Sequence, residues 1–199
     1  MVSTSSNVNR TRLVAAARKL FAAHGYADVS VDEIAVAAGV TKGAVYYQFS
    51  DKTDLFFAAC NAVLTDIAIK VATETMATGV NELDELVAGV GFLFDAYESP
   101  EARRLLLIDG PAVLGLPRWT AMHEGLRVGL AEDALAHLAE AGFIPKALVR
   151  TIADLLFGAF VQGVLRLEAA NNSSSVKRQV REAYRTLVRG LVPTAKRRH

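Results

Sequence analysis

Apolar side chains recur every three or four residues along almost the whole chain, a spacing that predicts helix after helix. The first runs from Asn7 to His24, with Leu13, Ala16, Ala17, Leu20 and Phe21 on one face. Gly25 follows where a helix can end in a left-handed residue. A second, short helix opens at Ser30 and reaches Ala38. Ser30 and Glu33 have the reciprocal spacing of a capping box, Val29 can staple onto Ile34, and Gly39 closes the helix. Thr41 caps a third helix from Lys42 to about Gln48, with Val40 stapling onto Val45. A long fourth helix runs from Lys52 to about Met76, capped by Ser50 or Asp51. Further helices are expected over 82–97, 100–108, 118–140, 146–170 and 176–189. Ser99-Pro100, Gly142, Pro145 and the polar run 171–175 set them apart. No strand-like alternation bounded by hairpin turns occurs, so the expected fold is all-α, with about nine helices.

Composition narrows the class. Apolar types make up 52% of the 199 residues, enough for a core and too many for a disordered chain. No apolar run approaches the roughly 20 residues of a membrane span, and no membrane partner is expected. The polar stretch 1–9 is expected to be a disordered leader. The single cysteine, Cys60, excludes a disulfide framework and fits a reducing, cytoplasmic setting. The four histidines show no pair three or four residues apart, so no metal or cofactor is expected. Charge is segregated along the chain. Six basic and five acidic residues lie in 1–54, eight and fifteen in 55–175, and eight and one in 176–199. A net charge of +1 therefore does not argue against an anionic partner.

The segment from Ser30 to Lys52 carries the chemistry. Two short helices joined at Gly39 make a helix-turn-helix unit. The second helix opens with Thr41-Lys42-Gly43-Ala44, where free amides and the helix dipole favour phosphate. Gly43 and Ala44 have almost no side chain, so the helix can lie close to base edges or a thymine methyl. Tyr46, Tyr47 and Gln48 offer hydroxyl, ring and amide groups to phosphates and bases, and Lys52 can meet the flanking backbone. These features divide the chain into residues 10–53, a DNA-binding domain, and 54–199.

The stretch from Leu13 to Leu55 resembles the DNA-binding domain of the tetracycline-repressor (TetR) family. The resemblance lies in Ala16-Ala17, Leu20-Phe21, Gly25-Tyr26, Ser30-Val31, Ile34-Ala35, Ala38-Gly39-Val40, Lys42-Gly43, Val45-Tyr46, Phe49, Lys52 and Leu55. It implies an α-helical homodimer that reads an operator with the second helix of the motif. It also implies that residues 54–199 form a ligand-binding and dimerisation domain. On this resemblance Lys42, Gly43, Ala44, Tyr46 and Tyr47 contact bases or phosphates, and Thr41, Gln48 and Lys52 contact phosphates. Where some members place a basic, base-reading residue early in the first motif helix, this chain has Asp32, expected to serve the helix cap.

Two further surfaces are expected. Phe92, Tyr97, Trp119 and Met122, with the polar Asp109, His123 and Gln162, are candidates for an effector cavity of roughly 300–1,000 Å³. Such a cavity suits an apolar or aromatic small molecule. Most members also have a plain structural reading: Asp109 as the cap of a turn, His123 and the aromatic rows as core; Gln162 is a pocket polar or a dimer-seam contact. Phe157, Phe160, Val164 and Leu167, with Val180, Tyr184 and Leu187, are candidates for a dimer seam, with Gly158, Ala159 and Gly163 permitting close approach. The basic row Lys177, Arg181, Arg185 and Arg189 is expected to be a solvated face or to pair with acidic residues. The function expected is a repressor released from a palindromic operator by a small ligand. The alternatives are a constitutive repressor, or an all-helical enzyme with a dispersed site, although no Walker, dinucleotide, nucleophile-elbow or zinc-protease signature is present.

Overall fold

The computed structural model describes residues 2–76, 82–127 and 131–192; Lys196, Arg197 and Arg198 of the basic C-terminal stretch lie outside them. Among the described residues every regular element is helical. In chain order these are α1 (Val2–His24), α2 (Val31–Ala38), α3 (Lys42–Gln48), α4 (Lys52–Met76), α5 (Glu82–Ala96), α6 (Pro100–Ala102, continuing as a π-helix over Arg103–Asp109), α7 (Gly110–Arg127), α8 (Asp133–Glu140), α9 (Val149–Ala169) and α10 (Ser174–Gly190). They form two compact units, residues 1–66 with 98–122 and residues 67–97 with 123–199. The breaks between these units fall inside α4, between α5 and α6, and inside α7.

In the first unit Leu13, Ala17, Phe21, Ile34, Leu55, Phe56 and Ala59 are fully or almost fully buried. Phe21, Tyr26 and Phe56 form a triangle of rings with centroids 5.1–5.8 Å apart. Where a leader is expected over residues 1–9, α1 begins at Val2. Ser, Thr and Asn penalise a helix only weakly, and Thr11 Oγ1 back-bonds to the Asn7 carbonyl at 3.0 Å. Asp51 caps α4, accepting the Asp54 amide at 2.8 Å. Ser50 in turn hydrogen-bonds the Asp54 side chain, so both candidate caps take part.

Residues 98–122 are stitched to α1, α4 and the α1–α2 turn. Arg18 donates to both oxygens of Glu101 (3.0 and 3.1 Å) and to Asp66 (2.7 Å). Arg118 donates to Asp54 at 2.9 Å and lies over the Phe57 ring. Gly25 has φ 85°, and a Cβ there would stand 2.8 Å from Arg104 Nη2. The helix expected over 100–108 takes a π-form over Arg103–Asp109, in whose i→i+5 register the donor to the Leu106 carbonyl would be Pro111, which has no N–H. The Trp119 indole N–H donates to the Leu106 carbonyl instead. Of the helix expected over 118–140, α7 already starts at Gly110 and breaks at Gly115 (φ 72°, ψ 155°) ahead of Pro117; α8 (Asp133–Glu140) covers the far end, and residues 128–130 lie outside the described residues.

In the second unit Phe94 packs 4.9 Å from Phe160 and 5.7 Å from Tyr184, and Tyr97 lies 5.1 Å from Phe160, ring centre to ring centre. Tyr184 donates its hydroxyl to the Leu156 carbonyl at 2.9 Å. A Cβ on Gly163 would sit 3.0 Å from Val180 and 3.1 Å from Phe94, so any larger residue would push those side chains back by a few tenths of an ångström where α9 meets α5 and α10. The basic face of α10 is partly a tie to α5: Arg181 pairs with Asp95, and Arg189 stands 3.8 Å from Asp84.

By length and hydropathy, Lys52–Thr75 and Lys146–Ala169 reach the range of membrane spans, against the expectation from apolar runs. Their apolar faces have protein neighbours: Leu55, Phe56, Ala59, Cys60 and Val63 of α4, and Ala153, Leu156, Phe160, Val164 and Leu167 of α9, are all buried.

Candidate nucleic-acid interface

The α2–α3 unit is fixed by its caps. Ser30 Oγ accepts the Glu33 amide at 3.2 Å while the Glu33 carboxylate accepts the Ser30 amide at 2.7 Å. The Ser30 amide, and after it the Ser30 hydroxyl, which also donates to that carboxylate at 2.7 Å, hold the Glu33 carboxyl below its ordinary pKa. Gly39 ends α2 with φ 68° and ψ 36°, and Val40 N–H returns to the Ala35 carbonyl at 3.0 Å. Thr41 then caps α3 through the Ala44 amide at 3.3 Å. Val45 (1% exposed) and Phe49 (5%) anchor α3 on the core beside Ile34.

With that side of α3 committed inward, the rest faces solvent. Tyr47 is 78% exposed and Tyr46 51%; Thr41, Lys42 and Gly43 are exposed, and Ala44 and Gln48 half-buried. Lys52 is oriented by the first unit itself. Its ammonium lies 4.2 Å from the Tyr26 ring centre and 3.4 Å from the Ala27 carbonyl. The eight residues expected to touch DNA thus fall on α3, its cap and the first turn of α4.

Asp32 does not cap α2, because Ser30 and Glu33 already share that task. Its carboxylate accepts from Lys42 Nζ at 2.9 Å, and both side chains are well exposed. The pairing holds the Lys42 ammonium above its ordinary pKa. Arg10, not among the expected contacts, lies 4.4 Å over the Phe49 ring and donates to the Gln48 carbonyl at 3.3 Å. It borders an open cleft of about 590 Å³ between α1 and α4, shared with Arg18, Asp54, Phe57 and Arg118. Only a basic side chain on the outer face of α1 hinted at Arg10, and nothing in local sequence hinted at Arg18 or Arg118, whose partners are 48 to 83 residues away.

The seven expected cavity residues divide between the units. In the first, Asp109 accepts the Tyr26 backbone N–H at 3.0 Å, Trp119 bonds Leu106, and Met122 is buried. In the second, Tyr97 packs on Phe160, His123 lies 5.3 Å from the Phe157 ring, Phe92 is half-buried and Gln162 is exposed. None of the seven lines the cleft of the first unit or the small cavity, about 30 Å³, enclosed in the second by Leu86, Val90, Leu93, Leu156, Phe157, Phe160 and Tyr184. Of the expected dimer seam, Phe160, Val164, Leu167, Val180 and Tyr184 are 1–8% exposed within the protomer, and Phe157 is half-buried. These apolar faces are spent on the chain's own core; Leu187, at 55%, is the exposed member.

Residues 13–59 match the profile of bacterial regulatory proteins of the tetR family, and residues 83–191 match that of the tetracyclin repressor-like C-terminal domain. The chain is 26% identical over 168 residues to the HTH-type transcriptional regulator AcrR of Shigella flexneri, covering 78% of this chain and 76% of that one. Its fold matches a TetR-family transcriptional regulator from Pectobacterium atrosepticum with a TM-score of 0.78 at 24% identity, over 95% of this chain and 96% of that one. It also matches the transcriptional regulator FadR of Bacillus subtilis, solved in complex with stearoyl-CoA, with a TM-score of 0.72 at 17% identity, over 90% and 98% of the two chains.

Proposed function

This chain belongs to the TetR family of bacterial transcriptional regulators, and from that premise we propose that it is a homodimeric repressor of a palindromic operator, released by a small apolar or aromatic molecule. The observation that carries the proposal is α3. It is a seven-residue helix held from behind by Val45 and Phe49 and presenting Thr41, Lys42, Gly43, Tyr46 and Tyr47 outward. A helix of this kind enters the major groove with its small N-terminal residues against base edges, while Tyr47 and Lys52 reach the groove wall and the backbone.

Dimerisation would use the faces of α9 and α10 that the protomer leaves open. Leu155 (69% exposed) and Leu165 (41%) lie on one stripe of α9 with Gly158 and Gln162 between them, and Leu187 (55%) is exposed on α10. A twofold pairing of these stripes would give a four-helix seam, and a palindromic operator read by such a dimer would carry half-sites about one DNA turn, roughly 34 Å, apart.

Release requires an effector that binds the DNA-incompetent form better. The largely apolar wall around the small cavity of the second unit supports an apolar ligand, and so does the stearoyl-CoA held by the FadR of Bacillus subtilis. The ligand would have to enlarge that cavity, since about 30 Å³ holds little more than a solvent molecule. That small volume is the observation favouring a second reading, a repressor with no effector.

One experiment tests the proposal in two stages. Selection from a library of randomised duplexes should return a palindrome. Compounds graded from acyl-CoA thioesters to aromatic hydrocarbons are then screened for its release. Recovery of random sequence would end the regulator reading, and a palindrome that no compound releases would leave the constitutive repressor.

A further inference from the structure

We propose that Asp32 and Lys42 act together as a base-reading pair, specific for a G·C base pair in each half-site; the inference rests on the operator-binding reading above. Asp32 lies in the first turn of α2 and Lys42 opens α3, and their side chains meet across the Gly39 turn at 2.9 Å. Neither is needed for capping: Ser30 with Glu33 caps α2, and Thr41 caps α3. Nor does the pair serve stability to any extent, since both side chains are more than half exposed and exposed ion pairs contribute little.

A carboxylate on this face faces a cost in any DNA complex. It repels phosphate, and it occupies the ammonium that would otherwise neutralise one. It is useful there if it accepts a hydrogen bond from a base, and the major groove offers two such donors, cytosine N4 and adenine N6. Lysine discriminates between them. Its ammonium donates, and guanine presents O6 and N7 as acceptors. In a G·C pair the cytosine N4 donor and the guanine O6 acceptor lie side by side, joined by their own Watson–Crick hydrogen bond. An Asp oxygen and a Lys nitrogen held 2.9 Å apart are the mirror of that edge: carboxylate to N4, ammonium to O6. An A·T pair offers adenine N6 to Asp32 and thymine O4 to Lys42, but no second acceptor like guanine N7. A reversed C·G pair exchanges donor and acceptor and sets like against like.

The ion pair also orders the reader. Lysine is a flexible point charge, and Asp32 holds it in one place before DNA arrives. The neighbouring residues leave room for this approach, because Gly43 follows Lys42 and a Cβ on Gly43 would meet only the Thr41 hydroxyl, at 4.0 Å.

The test uses the full chain and the sequence recovered from the randomised-duplex selection, with every base pair then changed in turn. Wild type, Asp32→Ala, Asp32→Asn, Lys42→Ala and the double Ala variant are titrated against each duplex and against a scrambled duplex at several salt concentrations. The expected result is one G·C pair per half-site whose reversal weakens wild-type binding by roughly 5- to 150-fold. That penalty should disappear in Asp32→Ala and Lys42→Ala alike, with no further loss in the double variant. Asp32→Asn, which keeps an acceptor and adds a donor, should weaken the preference and relax it toward either orientation. A different outcome overturns the inference: Asp32→Ala tightens binding to every duplex by the same factor, scrambled DNA included, and leaves all base preferences as in wild type. Asp32 would then be a repulsive charge only. Failure of wild type to distinguish the selected from the scrambled duplex would instead overturn the operator-binding reading on which the inference stands.

Discussion

The carboxylate of Asp109 accepts the backbone N–H of Tyr26 at 3.0 Å, joining positions 83 residues apart in the chain. Tyr26 sits in the turn between α1 and α2, its hydroxyl 3.0 Å from Thr53 Oγ1 and its ring under the Lys52 ammonium. Asp109 therefore secures the turn from which both the helix-turn-helix and Lys52 take their position. Removing its acceptor should leave a part-buried amide unpaired. Asp109→Ala is expected to cost about 1–3 kcal/mol of unfolding free energy, with Asp109→Asn costing less because an amide oxygen can still accept. Chemical denaturation of the three proteins checks this, and equal midpoints would show that solvent satisfies Tyr26.

Gly110 stands against the π-helix it follows. A Cβ there would approach the Leu105 carbonyl to 2.8 Å and Trp119 Cδ1 to 3.0 Å. Neither neighbour is the free end of a flexible chain. Gly110→Ala should therefore destabilise the protein by about 1–3 kcal/mol through overpacking, whereas Ala at Gly125, which meets nothing within 4 Å, should be neutral or mildly stabilising. Thermal melts of both variants decide the point.

The proposed contacts to DNA divide into those that would read and those that would hold. Tyr47→Ala is expected to relax base preference by roughly 1–3 kcal/mol. Lys52→Ala should weaken selected and scrambled duplexes alike and reduce the salt slope by about one unit. Binding isotherms at several salt concentrations separate the two effects, and wild-type behaviour in both variants would misplace the recognition helix.

Exposure separates the proposed dimer contacts from core. Leu155→Asp changes a side chain that is 69% exposed and should yield a folded monomer by sedimentation, with loss of operator binding. Phe160→Ala, at 1% exposed beneath Phe94 and Tyr97, should lower protomer stability by about 3–5 kcal/mol instead. A Leu155→Asp protein that still sediments as a dimer would move the seam elsewhere.

Asp54 supplies a pH signature. Arg118, and after it Ser50, hold its carboxyl below the ordinary carboxylate range. The folded state thus binds the proton more weakly than the unfolded chain does, so the stabilisation is present above the unfolded pKa and is lost as pH falls through the folded one. Asp54→Asn should be less stable than wild type at neutral pH and converge with it in acid. Parallel stability curves across that range would mean that the Arg118 pair contributes nothing.

The local elements were legible because their causes are local. The capping box of Ser30 and Glu33, the Gly39 stop and the Thr41 cap act over three or four residues, so their spacing fixes α2 and α3 and leaves Tyr46 and Tyr47 on the outer side. Only the tertiary structure decided what the long helices do with their apolar faces. Periodicity marks Phe160, Val164 and Tyr184 as apolar but cannot say whether a neighbouring helix or a second copy covers them, because burial within a protomer and burial between protomers draw on the same hydrophobic effect. The same holds for polar partners. That Asp109 meets Tyr26, that Arg18 meets Glu101, and that Asp32 meets Lys42 rather than its own helix cap are set by where the backbone returns in space, and no spacing along the chain encodes that return.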